Sequence, residues 1–413
     1  MKKSFYNFYV KDKNHVLLYN SLNGTSIILN EKEFADFQNF ACNPNDINTI
    51  KKLGFYVEEN ENELKTLLTR NRMITENSQN LSLRIFTTTK CNAKCFYCYE
   101  KGVETFDMTE QTALEVCNFI KNKLINKKSL NIQWFGGEPL LNPKIIDFIV
   151  NNIAPYLKDN NITFSSSMIS NGYLFNDKII ETATNLWNLK SVQITLDGLK
   201  DTYEKIKRYG DKNSFDKVIE NIQKLSENKI KVNIRLNYSF NNFNEILSLI
   251  DFLGTKFKNN PKVSVYAKRL FLDEDKNYIK NSTKMDIKIL NKLYKNGFVK
   301  NIMDSLKPIS IACMASNLNN FVINADGSLL KCARSVNDKH YGTVGSVYNK
   351  TLNNNISFWC SNLLENKCLK CKLLPLCNGG CNMERILNNS PCFINTPLIK
   401  HKLKLFLKNY KFD

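Results

Sequence analysis

The sequence lacks the features that would place the chain in a membrane. None of its apolar runs approaches the ~18 residues of a spanning helix, and Lys11 and Asp12 interrupt the basic N-terminus where a signal peptide would need apolar residues. It also has no internal repeat or low-complexity tract. With 43% hydrophobic and 23% charged residues over 413 positions, we predict a globular, cytoplasmic protein of two or three domains with no membrane partner.

Arginine-rich blocks and nucleic-acid-binding motifs are missing too, although the net charge is +19. The basic residues are mostly lysines spread along the chain. We therefore expect no nucleic-acid partner. A basic surface of this kind still favours an acidic peptide or an acidic electron carrier.

Cysteine, by contrast, is abundant, and ten of the thirteen cysteines fall in two groups separated by a cysteine-poor middle. A reducing cytosol disfavours structural disulfides, so clustered cysteines indicate metal or catalytic sites. Cys42, Cys117 and Cys360 stand alone and are predicted to be buried small hydrophobes.

The pattern of strands and helices divides the chain into residues 1–75, 80–305 and 306–413. The first segment alternates like short strands, with Asn23-Gly24 as a turn signal, and then becomes helical, which predicts a small winged-helix-like module. The last is rich in cysteines, short strands and loops, and is predicted to be a separate iron–sulfur module.

The middle segment alternates strands with helices, which predicts an α/β fold with a parallel sheet and right-handed crossovers. About six such units make a partial (β/α)6 barrel of the TIM type, whose chemistry would lie at the C-terminal ends of the strands. Thr109 and Ser214 are predicted helix N-caps. The predicted strands are 81–87, 130–135, 162–170, 191–196, 231–238 and 262–267.

A Cys-x3-Cys-x2-Cys motif directly follows the first barrel strand and consists of Cys91, Cys95 and Cys98. Three thiolates can hold three irons of one [4Fe–4S] cube and leave the fourth open to a small molecule. Zinc is the alternative, but a structural zinc site usually has four protein ligands, and no fourth cysteine or histidine lies nearby in the sequence.

With this motif the segment resembles the radical S-adenosylmethionine (SAM) superfamily. That resemblance implies that the open iron binds the amino and carboxylate groups of SAM. One electron from the cluster then cleaves SAM to a 5′-deoxyadenosyl radical that abstracts hydrogen from the substrate, while the protein positions and shields the cofactor. A flavodoxin or ferredoxin would supply the electron.

The same resemblance implies a set of SAM contacts at the strand ends. Gly136-Gly137-Glu138-Pro139 ends the second strand, where a glutamate can pair with the SAM ammonium group. The family's His-Asp-x-x-Arg pattern is not kept after the fourth strand, which leaves the partner of the SAM carboxylate open. A structural role is the alternative for each weaker candidate. The predicted cofactor-binding residues are Tyr97, Gly136, Gly137, Glu138, Ser170, Asn171, Lys207 and Arg235.

Seven cysteines near the C-terminus resemble, in number and order, the SPASM domain that follows many radical SAM barrels. Seven thiols divide as four plus three, which fits two further [4Fe–4S] clusters better than closed zinc sites with four ligands each. The resemblance implies that Cys313, Cys332 and Cys381 hold an inner cluster. It assigns the outer cluster to Cys368, Cys371, Cys377 and Cys392.

Enzymes with this appendage usually modify peptides, so we predict a maturase of a ribosomally made precursor peptide that forms a thioether or other crosslink. The N-terminal segment loosely resembles leader-peptide recognition modules; a structural extension of the barrel is the alternative. A formylglycine-forming sulfatase maturase is less well matched, since Cys332 is followed by Ala333 and not by aspartate. A radical SAM enzyme of a small metabolite, a zinc or nucleic-acid-binding protein and an electron carrier are the other possibilities. No residue is identified as the catalytic acid or base.

Overall fold

The N-terminal module is built around a small antiparallel sheet. The computed structural model describes the whole chain except residues 77, 103, 212, 271–277, 312, 337, 339–340, 350, 361–363, 389–391, 393 and 411–413. Three strands pair in the order β2-β3-β4, and two short strands form a separate β1-β5 pair. The strands are β1 Lys2–Lys3, β2 Asn7–Asp12, β3 His15–Asn20, β4 Thr25–Asn30 and β5 Tyr56–Val57.

Three helices complete this module, namely α1 Glu31–Asn39, α2 Pro44–Lys52 and α3 Glu63–Glu76. The first helix begins at a capping box, in which Asn30 and Glu33 each accept a hydrogen bond from the backbone N–H of the other. Gly24 has a φ of +71° in the turn between β3 and β4, as the Asn-Gly signal predicts.

The middle of the chain forms six parallel strands that pair in the order of the sequence. They are β6 Asn80–Thr88, β7 Ser129–Gly136, β8 Thr163–Ser170, β9 Leu189–Leu196, β10 Lys231–Tyr238 and β11 Val263–Arg269. Each lies within two residues of its predicted bounds. The partial-barrel prediction is therefore confirmed as a mixed α/β fold with a parallel sheet.

Helices cross between these strands and bury the apolar face of the sheet. They are α4 Glu110–Lys123, α5 Pro143–Asp159, α6 Asp177–Asn185, α7 Lys200–Lys207, α8 Ser214–Glu227, α9 Phe243–Phe257 and α10 Tyr278–Lys295. Thr109 caps α4 as predicted, since its hydroxyl accepts from the Thr112 N–H. The Ser214 prediction is wrong. Asn213 is the N-cap residue, and the buried Ser214 hydroxyl has no partner among the described residues.

The C-terminal segment continues the barrel sheet. Strand β12 Asn320–Ile323 pairs in parallel with β6, and β13 Ser328–Leu330 and β14 Thr343–Ser346 follow on its far side. The predicted separate module thus shares backbone hydrogen bonds with the barrel. Short helices connect the cysteines, namely α11 Asn355–Cys360, α12 Asn366–Leu369, α13 Leu374–Cys377 and α14 Asn382–Asn388, and the chain closes with α15 Thr396–Asn409.

The N-terminal sheet packs against this C-terminal segment as well as against its own helices. One face carries Val10, Leu17 and Tyr19, which lie in one apolar cluster with Leu403 of α15. The opposite face packs on α1 and α2. The Tyr19 hydroxyl also donates to the Leu306 carbonyl. Residues 1–75 are therefore integrated with the rest of the molecule.

Candidate active site and metal centres

The loop with the three-cysteine motif begins at the C-terminal end of β6, at the mouth of the barrel. Cys91 is accessible from this mouth, yet the surrounding protein desolvates its sulfur and raises the pKa of the thiol to about 12. The charges of Glu138, Cys95 and Cys98 add to this shift, since these groups lie close enough to interact. The donor set fits a four-iron cube with one free iron. Binding it requires these thiols to lose their protons.

Gly136 and Gly137, at the end of β7, lie where the backbone of the neighbouring strand leaves no room for a side chain. A Cβ on Gly136, whose φ is +127°, would lie 2.0 Å from the Thr88 carbonyl oxygen, and one on Gly137 would lie 2.2 Å from that of Lys90. The close approach is thus between the ends of β6 and β7. It fixes the start of the cysteine loop against the next strand.

Glu138 is fully buried beneath this loop and joins the ends of β7 and β8. Its carboxylate accepts from the Ser170 hydroxyl at 2.9 Å, from the Asn171 N–H at 2.8 Å and from the Leu140 N–H at 3.2 Å. Burial raises the pKa of Glu138 to about 7, against the lowering effect of these donors. The Asn171 side chain in turn donates to Asn92 of the cysteine loop at 2.7 Å. Three of the predicted SAM contacts therefore form one network.

A second buried network joins the cysteine loop to β9 and α7. The Tyr97 hydroxyl donates to one Asp197 oxygen at 2.7 Å, and the Lys207 ammonium lies 3.1 Å from the other. The side chains of Lys207 and Asp197 are only 4% and 1% exposed. Burial alone would lower the pKa of Lys207, but the charges of Asp197, Tyr97, Cys95 and Tyr203 together outweigh this effect and raise that pKa well above its usual value. Lys207 thus has an internal carboxylate partner.

The structure sets Arg235 apart from these two networks. It lies on β10, and its Nε donates to the Asn237 side chain at 2.9 Å. Two residues at the site were not in the predicted set. Asp197 directly follows the fourth strand of the barrel, β9, which was a usable signal, whereas Arg84 in the middle of β6 had none.

Three of the C-terminal cysteines gather beside the barrel. The charges of Cys313 and Cys381 both interact with Cys332. Burial is the main cause that raises the pKa of the Cys332 thiol to about 11. These are the three thiols that the resemblance assigns to an inner cluster. Arg334 follows shortly after and forms an ion pair with the buried carboxylate of Glu384.

The other four gather further out. The charges of Cys392, Cys371 and Cys368 reach Cys377, and burial is the main cause that raises its pKa to about 11. Arg385 donates to the Cys368 sulfur at 3.3 Å. Ten of the thirteen cysteines therefore lie close enough for their charges to interact, in sets of three, three and four. No three His, Cys, Asp or Glu side chains in the described part of the chain converge on a point where one metal ion would bind.

The three lone cysteines differ from the prediction in part. Cys117 is fully buried on α4, whereas Cys42 and Cys360 are only partly buried. The Cys360 sulfur contacts the Ala315 carbonyl oxygen at 3.8 Å, and the positive charge of Lys331 interacts with the Cys360 thiol.

None of the described helices is long and apolar enough to span a bilayer.

Comparison with known proteins identifies the barrel. Residues 85–253 match the family model of the Radical SAM superfamily. The barrel is a radical SAM domain. Members of this superfamily are enzymes, and the match implies a [4Fe–4S] cluster and SAM.

Proteins with sequences similar to this chain have different names. The chain is 38% identical over 176 residues to GTP 3′,8-cyclase of Clostridium perfringens, covering 41% of this chain and 50% of that protein, so it spans about half the length of that relative. It is 24% identical over 394 residues to radical SAM cyclopropyl synthase TigE of Paramaledivibacter caminithermalis, covering 84% of this chain and 78% of that one.

A solved structure resembles nearly the whole molecule. Streptococcus suis SuiB bound to its precursor peptide SuiA superposes with a TM-score of 0.52 at 17% identity, over 96% of this chain and 99% of that chain. A likeness at this identity shows a shared fold. It includes the modules on either side of the radical SAM domain.

Proposed function

We propose that this protein is a peptide maturase that uses SAM to abstract hydrogen from a precursor peptide and crosslink it. The observation that carries the proposal is the grouping of thiols as three, three and four beside a barrel whose fold is shared, with both flanking modules, by SuiB bound to a peptide. Reductive cleavage of SAM would supply the radical that abstracts hydrogen. The chain's own residues would bind, orient and shield the reactants.

In this proposal Cys91, Cys95 and Cys98 hold the SAM cluster at the barrel mouth. The two buried networks fix the loop from both sides, through Asn171 and through Tyr97. Glu138 would pair with the ammonium group of SAM, and the Lys207 ammonium balances the Asp197 carboxylate. Each fixed dipole reduces the reorganisation needed when the substrate reacts.

We further propose that the C-terminal thiols hold two auxiliary [4Fe–4S] clusters, with Cys313, Cys332 and Cys381 on the inner one. Three thiols leave one inner iron without a cysteine, where a substrate thiolate can bind. The outer group of four would pass electrons to or from a flavodoxin- or ferredoxin-type carrier. The net charge of +19 suits an acidic carrier.

The N-terminal module is proposed to bind the leader of the precursor peptide. Strands β2 and β4 each have one strand neighbour among the described residues, so both present an edge that an extended peptide can extend. On β2 itself, the exposed Tyr9 ring is tilted against the Phe34 ring with the ring centres 4.9 Å apart, and the Lys11 ammonium lies 5.4 Å from the centre of the Phe34 ring. Such a surface fits a segment with apolar and acidic side chains.

Anaerobic reconstitution tests the function. We expect about twelve irons per chain, SAM cleavage under dithionite, and 5′-deoxyadenosine formation that rises with a precursor peptide encoded nearby. A peptide mass loss in multiples of ~2 Da would identify oxidative crosslinking. Zinc in place of iron, or no SAM cleavage in a loaded sample, would contradict the proposal.

The leader site needs point variants, because deleting residues 1–75 would expose the apolar face that packs on α15. Tyr9→Ala and Lys11→Glu should weaken peptide binding without changing the iron content. Lys65→Glu, an exposed charge reversal on α3, is the matched control. Equal effects of Lys11→Glu and Lys65→Glu would contradict a site on β2.

The same sample tests a second candidate function. The relation to GTP 3′,8-cyclase favours a nucleotide substrate, in which case GTP, and not peptide, would raise 5′-deoxyadenosine formation. A formylglycine-forming enzyme lacks support at one position. Ala333 follows Cys332, and the next side chain, Arg334, is engaged by Glu384.

A further inference from the structure

The interior of the barrel is polar where such barrels are usually filled by bulky branched side chains. The inward-facing positions of neighbouring strands carry short polar groups that form hydrogen bonds in pairs, such as Ser165 to Asn131 at 2.6 Å. A cavity of about 440 Å³ remains among them. Its polar lining residues include Ser82, Arg84, Asn131, Gln133, Ser165, Ser167, Lys190, Ser191 and Asn320.

The charge of this lining is of one sign. Among the described lining residues Arg84 and Lys190 are cationic and none is acidic. Arg84 is the inner of the two. Its Nε donates to the Gln133 side-chain oxygen at 2.7 Å, and its guanidinium lies 4.9 Å from the centre of the Phe135 ring. Neither contact neutralises its charge.

The Arg84 guanidinium has hydrogen-bond donors that no described protein group uses. Among the described residues it forms no ion pair, and its two terminal nitrogens have no protein acceptor. Burial without an acidic partner lowers the pKa of Arg84, although a guanidinium stays protonated. A partly buried cation without an acidic partner favours an anion in the adjoining cavity.

The position of Arg84 links this cavity to the reactive centres. The charges of Tyr99, in the cysteine loop, and of Cys332 and Cys313 all reach it. Arg84 lies four residues before the end of β6, from which the cysteine loop continues, and it lines the cavity together with Met314, the neighbour of Cys313. A substrate group bound there would lie between the cysteine loop and the inner thiols.

We propose that Arg84 binds a carboxylate of the substrate peptide, an Asp or Glu side chain close to the residue that reacts. This rests on the proposed peptide-maturase function. The free edge of a guanidinium matches a carboxylate with two parallel hydrogen bonds. Arg84 would thus determine which peptide segment enters the barrel.

Binding to the SAM-loaded, reconstituted enzyme tests this directly. The probes are the blocked pentapeptides Ac-Ala-Ala-Xaa-Ala-Ala-NH2 with Glu or Gln at Xaa. We expect the Glu peptide to bind ~10- to 100-fold more tightly, the range for a hydrogen bond to a charged group. Arg84→Gln should abolish this preference and Arg84→Lys should keep part of it. Lys231→Gln, which removes an exposed charge from β10, should leave the preference intact.

Several results would overturn the inference. A wild-type enzyme without the preference, or Arg84→Gln with the preference unchanged, removes the carboxylate site. A fall to about eight irons in Arg84→Gln would show that Arg84 serves the inner thiols instead. GTP binding that depends on Arg84, without binding of the Glu peptide, would assign a nucleotide. If the preference is found but no peptide raises SAM cleavage, the subsite stands and the maturase function fails.

Discussion

Replacing Lys207 by Met should destabilise the barrel far more than removing an exposed lysine of the same helix. The change leaves the Asp197 carboxylate buried, with Tyr97 as its remaining side-chain hydrogen-bond donor. Breaking a buried ion pair on one side costs about 3–5 kcal/mol. Lys200 begins α7 and pairs with Asp216, with both side chains at least 42% exposed. Lys200→Met should therefore cost less than about 1 kcal/mol.

Urea unfolding followed by the fluorescence of the buried Trp134 and Trp187 measures this difference in the barrel. A double-mutant cycle with Asp197→Asn isolates the pair, because the second change removes the charge that the first one strands. The double variant should recover much of the loss of Lys207→Met. Equal losses for Lys207→Met and Lys200→Met, or full additivity in the cycle, would refute the buried pair.

Three further predictions follow from the site. In the apoprotein, the raised pKa of Glu138 means that the folded form holds this proton more tightly than the unfolded chain. The free energy of unfolding should thus fall by about 3 kcal/mol as pH rises from ~4.5 to above ~7, and Glu138→Gln should remove this slope in urea titrations. Gly136→Ala should abolish soluble expression, whereas Gly102→Ala, with open space around its Cβ, should cost only about 1–2 kcal/mol by thermal melting. Cys360→Ser should keep the wild-type iron content, whereas Cys313→Ser should lose about four irons per chain by colorimetric assay.

The barrel could be predicted from the sequence because its signals are local. Each parallel strand alternates with a helix, and the cysteine motif immediately follows the first strand. What could not be predicted involves distant partners. Tyr97 meets Asp197 across 100 residues, and no spacing rule indicates that pair.

Three other details also depend on features that the local sequence does not identify. Ser214 has the composition of an N-cap, but the neighbouring Asn213 takes that place and Ser214 enters the helix. The integration of the N-terminal sheet depends on α15, almost 400 residues away in the chain, and its apolar face alone could not identify that partner. The thiol groups were assigned by family resemblance, and the spacing alone left the division of seven cysteines open.

The pairing of β12 with β6 has a consequence for building chimeric enzymes. Cys91 follows β6 by three residues, and Cys313 precedes β12 by seven. The register of this strand pair, with Val322 opposite Arg84, therefore sets the distance between the cysteine loop and the inner thiols. A C-terminal module exchanged at residue 306 must bring a first strand whose register on β6 is the same. A shift of one step would move every thiol of the grafted module by about 3.3 Å along the barrel.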